Sequence, residues 1–115
     1  MNADTDIQVW LEAFSRPPPG IIIPYVKTAR DRTLRYRVLA VKDGAAGRAT
    51  FSQSGIVDLR AGVPAALGRL SVNHGPRDEC HIALTLSEPG ANVLNYHFAC
   101  PTTVQYPANN YLKQQ

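Results

Sequence analysis

The amino-acid sequence predicts an all-β protein, an antiparallel β-sandwich formed by one domain. Its 115 residues suit a single domain with a hydrophobic core, since 44% of them are apolar. Segments rich in β-branched and aromatic residues recur about every ten residues, with turn-forming residues between them. No segment carries an apolar stripe at helical spacing over three turns. No apolar run approaches the ~20 residues of a membrane-spanning helix, so membrane insertion is not expected.

About seven strands are predicted, at residues 7–14, 21–27, 33–41, 48–52, 67–73, 80–86 and 93–99, with a further short piece at 56–59. Pro24 lies inside the second strand and predicts a sheet edge or a bulge there, because proline cannot donate a ladder hydrogen bond. Residues 16–20 read Arg-Pro-Pro-Pro-Gly, which favours a stiff loop over a proline-rich ligand for another protein. We assign residues 1–101 to the single domain and expect 102–115 to form a loose tail.

Basic residues are concentrated in one part of the chain. Residues 27–48 carry seven basic and two acidic side chains, a net charge of +5, whereas the whole chain sums to +3. Within the predicted strand 33–41, alternation places Arg35 and Arg37 on the side opposite the apolar residues, which predicts a positive band along one sheet face. Such a band is either a solvated surface or a surface that steers an acidic partner. Because exposed aromatic residues do not interleave with the charges, a protein partner is favoured over nucleic acid.

The last two predicted strands can be aligned by residue number. If their turn is centred on Gly90, facing residues have numbers that sum to 180, and the large apolar side chains of both strands share one face. This alignment sets Cys80 opposite Cys100. Cross-strand Cβ atoms lie ~4.5–5.5 Å apart, close to the separation that a disulfide needs. A Cys80–Cys100 disulfide is the favoured interpretation, and two buried thiols at the rim of the core are the alternative.

The other face of this hairpin carries His81 and His97 as diagonal neighbours. Two imidazoles could begin a metal site, but the sequence places no third ligand, since His74 falls in a loop and Asp78 and Glu79 at a strand end. Surface histidines on a polar sheet face are the preferred interpretation. We therefore expect no bound metal.

Motifs that indicate catalysis are missing from the sequence. It has no nucleophile elbow, phosphate-binding loop, dinucleotide fingerprint or zinc-protease helix. Its carboxylates are few and lie mostly in turns, so no pair is positioned for acid–base chemistry. The prediction is a protein that is not an enzyme and that needs no cofactor.

Four short motifs follow one another between residues 20 and 101. They are Ile22-Ile23-Pro24-x-Val26, Arg35-x-x-Val38-Leu39-x-Val41-Lys42-Asp43-Gly44-x-x-Gly47, Leu67-Gly68-Arg69-Leu70-Ser71-Val72-Asn73 and Tyr96-x-Phe98-Ala99-Cys100-Pro101. In this order and spacing they resemble the CsgC-like family of curli-assembly inhibitors, and more closely its CsgH branch. The resemblance implies a seven-stranded immunoglobulin-like sandwich, a periplasmic location, and inhibition of premature amyloid formation by the curli subunit.

One departure from the family pattern concerns redox chemistry. The CsgC branch carries a Cys-x-Cys pair where this chain reads Arg32-Thr33-Leu34, so a redox role tied to that pair does not transfer. Cys80 and Cys100 look structural instead, and an oxidising periplasm would permit their bridge. The chain begins without a basic and apolar leader, which fits either a cytosolic protein or a mature secreted chain. With the periplasmic location that the resemblance implies, we expect a signal peptide to have been removed.

The resemblance and the basic segment together predict a periplasmic, chaperone-like inhibitor of curli nucleation. It is expected to act as a monomer, through transient, electrostatically guided contacts with disordered or early oligomeric subunits. The residues expected to contact the client are Arg35, Arg37, Lys42, His81 and His97. Charged residues and proline are expected on its sheet edges, where they keep the amyloid from adding a strand. The alternative is a structural or adhesive sandwich module that forms a stable complex with a folded protein through its edge.

Overall fold

The structure is a computed structural model that describes residues 6–14, 20–72 and 78–101. These residues form eight strands and no helix: β1 Ile7–Phe14, β2 Gly20–Thr28, β3 Arg32–Gly44, β4 Gly47–Leu59, β5 Ala65–Ala66, β6 Leu70–Val72, β7 Glu79–Ser87 and β8 Leu94–Ala99. Every strand pairing is antiparallel. The all-β, antiparallel architecture is thus confirmed, with eight strands where seven were expected. Residues 16–19 of the predicted loop, the position of His74 and the predicted tail at 102–115 lie outside the described residues, and Gly20 of that loop begins β2.

The strands form two four-stranded sheets. Sheet I contains β1, β2, β5 and β6, with β5 and β6 both paired to β2; sheet II has the order β4-β3-β7-β8. The core is one cluster of buried apolar side chains from both sheets, which include Ile22 and Val26 of β2, Leu34 and Val38 of β3, and Ile82 and Leu84 of β7. Each strand of sheet II therefore has an inner face, toward this core, and an outer face.

Of the predicted strand 67–73, residues 67–69 are not strand and Leu70–Val72 form β6, whereas β5 at Ala65–Ala66 precedes the predicted segment. Two residues of β2, Ile23 and Pro24, face the three residues 67–69, because Tyr25 is opposite Ala66 whereas Ile22 is opposite Leu70. Pro24 has no N–H to donate, and its carbonyl accepts a hydrogen bond from the Leu67 N–H at 2.8 Å. Gly68 takes up the extra residue with a φ of 139°, a conformation that favours glycine. Of the edge or bulge predicted at Pro24, the structure shows a bulge in the segment opposite it, since β2 is paired on both sides.

Two predicted pieces, 48–52 and 56–59, instead form the single strand β4, which pairs with β3 along 13 residues. Gly55 lies in the gap between the two predicted pieces. In the structure this glycine makes room for a neighbouring side chain, since a Cβ at Gly55 would lie 3.0 Å from the Tyr36 hydroxyl. β4 is an edge strand whose charged residues, Arg48 and Asp58, lie only near its ends, and residues 49–57 include no charged residue and no proline. The charged residues expected on the sheet edges are therefore present at the ends of β4, whereas its middle has none and the strand has no proline.

A network of ion pairs joins the two sheets at one end. Arg32, at the start of β3, donates to Asp6 Oδ2 at 2.7 Å and to Glu88 Oε1 at 2.6 Å, and its side chain is only 8% exposed. Asp6 also accepts a hydrogen bond from the Ala29 N–H at 2.7 Å. Partial burial raises the pKa of Asp6, but the hydrogen bonds from Arg32, Ala29 and Arg30 outweigh it and hold that pKa below its ordinary value.

The outer face of sheet I carries a pair of stacked aromatic rings. Trp10 of β1 lies opposite Tyr25 of β2, with ring centroids 5.5 Å apart and an interplanar angle of 12°. The Trp10 indole N–H donates to Glu12 at 3.4 Å. Burial, and secondly the charge of Glu12, raise the pKa of the Tyr25 hydroxyl.

Candidate functional site

The outer face of sheet II holds the two arginines that were predicted to share it. Arg35 faces Ile56 of β4 and Ser87 of β7, and Arg37 faces Ser54 and Thr85 in the next row of the same face. Alternation along β3 places both arginines outside, because Leu34 before them and Val38 after them are buried in the core. Both side chains are exposed, and two residues of strand separate them by about 7 Å. We call this pair the arginine strip.

The arginine strip borders an open groove of about 420 Å³ on the surface of the sheet. Its lining combines the two arginines with hydroxyl groups and one apolar side chain: Arg35, Arg37, Ser54, Ile56, Thr85 and Ser87. Ile56 is 64% exposed, which is unusual for a large apolar residue on a regular strand. The groove therefore offers positive charge, hydroxyl donors and an apolar contact side by side.

No acidic side chain among the described residues forms a salt bridge with Arg35 or Arg37. Three other basic residues of the 27–48 segment form ion pairs within the protein. Arg30 and Arg32 pair with Asp6, and Arg48 pairs with Asp43 at 2.9 Å. The positive band predicted from the segment's charge of +5 is therefore reduced to the arginine strip, because strand alternation and long-range ion pairs disperse the other charges.

Lys42 was predicted to continue this strip, and the structure corrects that position. Lys42 lies opposite Cys80, and both belong to the inner side of sheet II, where Val38 and Ala40 are buried. Seven residues separate Lys42 from Arg35, an odd number, so a regular strand turns their side chains to opposite faces. Whether Lys42 contacts a client stays a prediction, but it cannot do so as part of the arginine strip.

His81 and His97 both lie on the outer face of sheet II, exposed, at the other end from Arg35. His97 is opposite Ala83 and His81 is opposite Ala99, so the two are diagonal neighbours as predicted. Leu39 of β3, opposite Ala83, occupies the row between the arginine strip and His81, which itself lies opposite Val41. The histidines thus share the face with the arginine strip but do not touch it directly.

An ion pair closes the histidine end of this face. The guanidinium of Arg48 donates two hydrogen bonds to Asp43, at 2.9 and 3.0 Å. These bonds hold the pKa of Asp43 below its ordinary value against a smaller opposing effect of burial, with further help from the charges of Arg48 and His81. Asp43 in turn raises the pKa of Arg48. Because Asp43 neutralises the charge of Arg48, the positively charged part of the outer face does not extend to this end.

The predicted disulfide is present. Cys80 and Cys100 are bonded, with Cα atoms 5.3 Å apart, and the Cys100 N–H donates to the Cys80 carbonyl at 3.0 Å. The register of β7 and β8 is the predicted one, with Leu86 opposite Leu94 and Ile82 opposite Phe98. The alternative of two free thiols is thereby excluded.

Within residues 6–14, 20–72 and 78–101, no group of three histidine, cysteine, aspartate or glutamate side chains could hold a metal ion. The same residues include no helix that is long and apolar enough to span a membrane.

Sequence reasoning missed the part of the groove contributed by β4. Ser54 and Ile56 were placed in, or next to, a break between two short strands. A hairpin register centred on the turn at residues 45 and 46 would have placed them opposite Arg37 and Arg35.

The fold and the surface together define a class of protein: a small all-β domain with two antiparallel sheets, one disulfide, and a positively charged groove on an open sheet face. The family model described as "Thin aggregative fimbriae synthesis protein" (Tafi-CsgC) matches residues 2–98. The chain belongs to this family.

Curated relatives are named curli assembly protein CsgC. Those of Escherichia coli strain K12 and Salmonella typhimurium strain LT2 are each 33% identical over 67 residues, or 58% of this chain. The matched region spans 61% and 62% of these relatives, respectively, which is less than two thirds of their length.

Solved structures show the same fold. The E. coli curli protein CsgC superposes with a TM-score of 0.70 and 26% identity, over 80% of this chain and 97% of that one. CsgH of R. palustris superposes with a TM-score of 0.67 over 81% of this chain and 91% of its own, and at 19% identity this likeness shows the fold alone. Both structures share the all-β fold of this chain.

Proposed function

We propose that this protein takes part in curli assembly as a periplasmic inhibitor of amyloid nucleation by the curli subunit. Support comes from its family and from relatives named curli assembly protein. The observation that carries the mechanism is the arginine strip, in which Arg35 and Arg37 stand together on one exposed face without an acidic partner among the described residues. An acidic stretch of a disordered subunit can meet these charges without first displacing an internal carboxylate.

The contact is expected to be brief. Exposed charges steer an encounter and raise its rate, but each ion pair formed in water adds only about 0–1 kcal/mol of affinity. Nucleation depends on rare oligomers. A protein that binds these oligomers weakly but repeatedly can therefore delay fibre formation even when it is much less abundant than the subunit. The mechanism needs no nucleotide, cofactor or catalytic step.

The histidines extend this surface. His81 and His97 share the outer face with the arginine strip, and they add hydrogen-bonding groups where the positive charge ends. We include both in the client-binding surface, together with the arginine strip. Lys42 is left as a separate candidate contact on the inner side.

Three further features belong to the same proposal. The protein works as a monomer, the periplasm is its location, and the two sheets form an immunoglobulin-like sandwich. The disulfide supports an oxidising compartment, since such bonds persist there. The packing of both sheets around one core supports the sandwich.

The test is a charge reversal of the arginine strip. In a dye-monitored amyloid assay with the curli subunit, Arg35→Glu plus Arg37→Glu should lose most of the delay that the wild-type protein adds before fibres appear. The matched control is Arg60→Glu plus Arg69→Glu, which makes the same charge change at two exposed residues outside the strip. If the strip variant delays fibres as well as the control variant does, the arginine strip is only a solvated face.

Size-exclusion chromatography tests the alternative of a structural or adhesive module. If the contacts with the subunit are transient, the protein should elute separately from the subunit. Elution as a stoichiometric complex with a folded partner would support the alternative instead.

A further inference from the structure

β4 is exposed as an edge of sheet II along its whole length. Among the described residues it pairs only with β3, and its 13 residues exceed the usual strand length of about 5–6. The pairing runs without a bulge from Arg32 opposite Leu59 to Gly44 opposite Gly47. Alternate backbone groups of an edge strand point away from its single neighbour, so β4 presents a continuous row of N–H and C=O groups for another chain.

This edge lacks the usual protection against pairing. Residues 49–57 read Ala-Thr-Phe-Ser-Gln-Ser-Gly-Ile-Val, without a charge or a proline. β8, the other edge of the sheet, has only 6 residues. Of the two edges of sheet II, β4 is therefore the one suited to accept a further strand.

β4 also carries exposed apolar side chains on both of its faces. Phe51, on the inner side, is 41% exposed and Ile56, on the outer side, is 64% exposed. A strand added beside β4 would cover part of both. Gln53, between them, turns inward and contacts Gly68, which lies between β5 and β6. This contact and the long pairing to β3 hold the edge in place before a partner binds.

The two charged residues that bound this uncharged run already have partners within the protein. Arg48 and Asp58 lie on the outer face and are exposed, but Arg48 pairs with Asp43 at 2.9 Å and Asp58 accepts a hydrogen bond from the Thr33 hydroxyl at 2.7 Å. The edge therefore offers a partner strand an uncharged surface. Between these ends, uncharged polar, small or β-branched residues fit the edge best.

We infer that β4 is a docking edge onto which an extended segment of the client adds as a fifth strand of sheet II. The inference rests on the proposed function for the client, an amyloid-forming subunit whose segments readily become strands. Ser54 and Ile56 of β4 also line the groove beside the arginine strip. The arginines can therefore attract one client segment, and its backbone can then pair with β4. While it is paired, the segment cannot join a fibre.

Amide-resolved hydrogen exchange tests this placement directly. The probe is the curli subunit, freshly desalted and monomeric, added to the full-length protein. At a subunit concentration about ten times the dissociation constant, the edge-facing amides of residues 49–57 should exchange about tenfold more slowly than in the free protein, since roughly nine tenths of the molecules are bound. Amides of the exposed turn at residues 61 and 62 serve as the internal control.

Paired substitutions provide the second readout. Ser52 is exposed in the middle of β4, and both Ser52→Lys and Ser52→Glu place a charge on the edge. If the client adds as a strand, both variants lose most of the delay in fibre formation. If only electrostatic attraction matters, the lysine and glutamate variants change the delay in opposite directions. Ala61→Lys and Ala61→Glu, in the turn after β4, are the matched controls and should keep the delay.

The outcomes separate this inference from the proposed function. A wild-type protein that delays fibres while the amides of β4 keep their free exchange rates overturns the docking edge and leaves the proposed function standing. A wild-type protein that does not delay fibres overturns the proposed function itself. Slowed exchange that depends on the protein's own concentration, without the subunit, identifies a second copy as the occupant and also overturns the inference.

Discussion

The Cys80–Cys100 disulfide ties the end of β8 to the start of β7 and closes a loop with a sequence separation of 20 residues. We expect Cys80→Ala plus Cys100→Ala to lower the free energy of unfolding by about 3 kcal/mol, because the unfolded chain regains the freedom that the bond removes. Urea unfolding of both proteins measures the difference.

The same variant also tests whether the sulfurs have a role in function. Under conditions where it remains folded, it should delay amyloid formation as the wild-type protein does, because the disulfide lies at the rim of the core and not on the arginine strip. Loss of the delay in a folded variant would contradict a purely structural role.

Single residues also show what the sequence could and could not predict. The pairing of Cys80 with Cys100 followed from a period of two and a turn at Gly90, both visible locally. The pairing of Arg32 with Asp6 joins residues 26 positions apart on different sheets, so it depends on how the sheets pack. Because such ion pairs form only in the folded protein, the net charge of a segment overstated the charge available on its surface.

At the scale of elements, the break between β5 and β6 depends on Gly68. This residue has a φ of 139°, and a Cβ there would overlap the side chain of Gln53. We expect Gly68→Ala to destabilise the protein by about 2–3 kcal/mol, from backbone strain and the forced movement of Gln53. The midpoint of urea unfolding is the measurement.

Gly62 provides the matched control for that substitution. It also has a positive φ, of 75°, but nothing lies within 4 Å of a Cβ built there. Gly62→Ala should therefore cost only about 1 kcal/mol. Equal losses for the two variants would show that the contact between Gly68 and Gln53 contributes nothing.

The strands themselves were predicted with uneven success. β1, β2, β3, β7 and β8 were located because apolar and polar residues alternate along them or because β-branched residues cluster in them. Two glycines lie where the prediction failed: Gly55 falls in the gap between the predicted pieces 48–52 and 56–59, where β4 is continuous, and Gly68 falls in the predicted strand 67–73, at residues that are not strand. A glycine's role depends on which side chain approaches it, Tyr36 in one case and Gln53 in the other, and this is set by the tertiary structure.

For the whole molecule, the proposed mechanism predicts a dependence on salt. The Debye length falls from ~10 Å at 0.1 M to ~3 Å at 1 M ionic strength, so long-range attraction to the arginine strip should weaken over this range. The delay that the wild-type protein adds, relative to the subunit alone at the same salt concentration, should shrink as salt is raised.

The Arg35→Glu plus Arg37→Glu variant controls for the effect of salt on the fibres themselves. Its small residual delay should change little between low and high salt. A wild-type delay that is constant across this range would show that electrostatic guidance does not contribute, even if the protein inhibits.

The fluorescence of Trp10, whose ring stacks on Tyr25, can be used to follow the state of sheet I. Trp10 is the only tryptophan in the chain, and its ring lies on the outer face of sheet I, across the core from the arginine strip. Its emission will therefore report the melting of β1 from β2 without an added dye. If the client lacks tryptophan, the same signal shows in a mixture whether sheet I stays intact while sheet II is engaged.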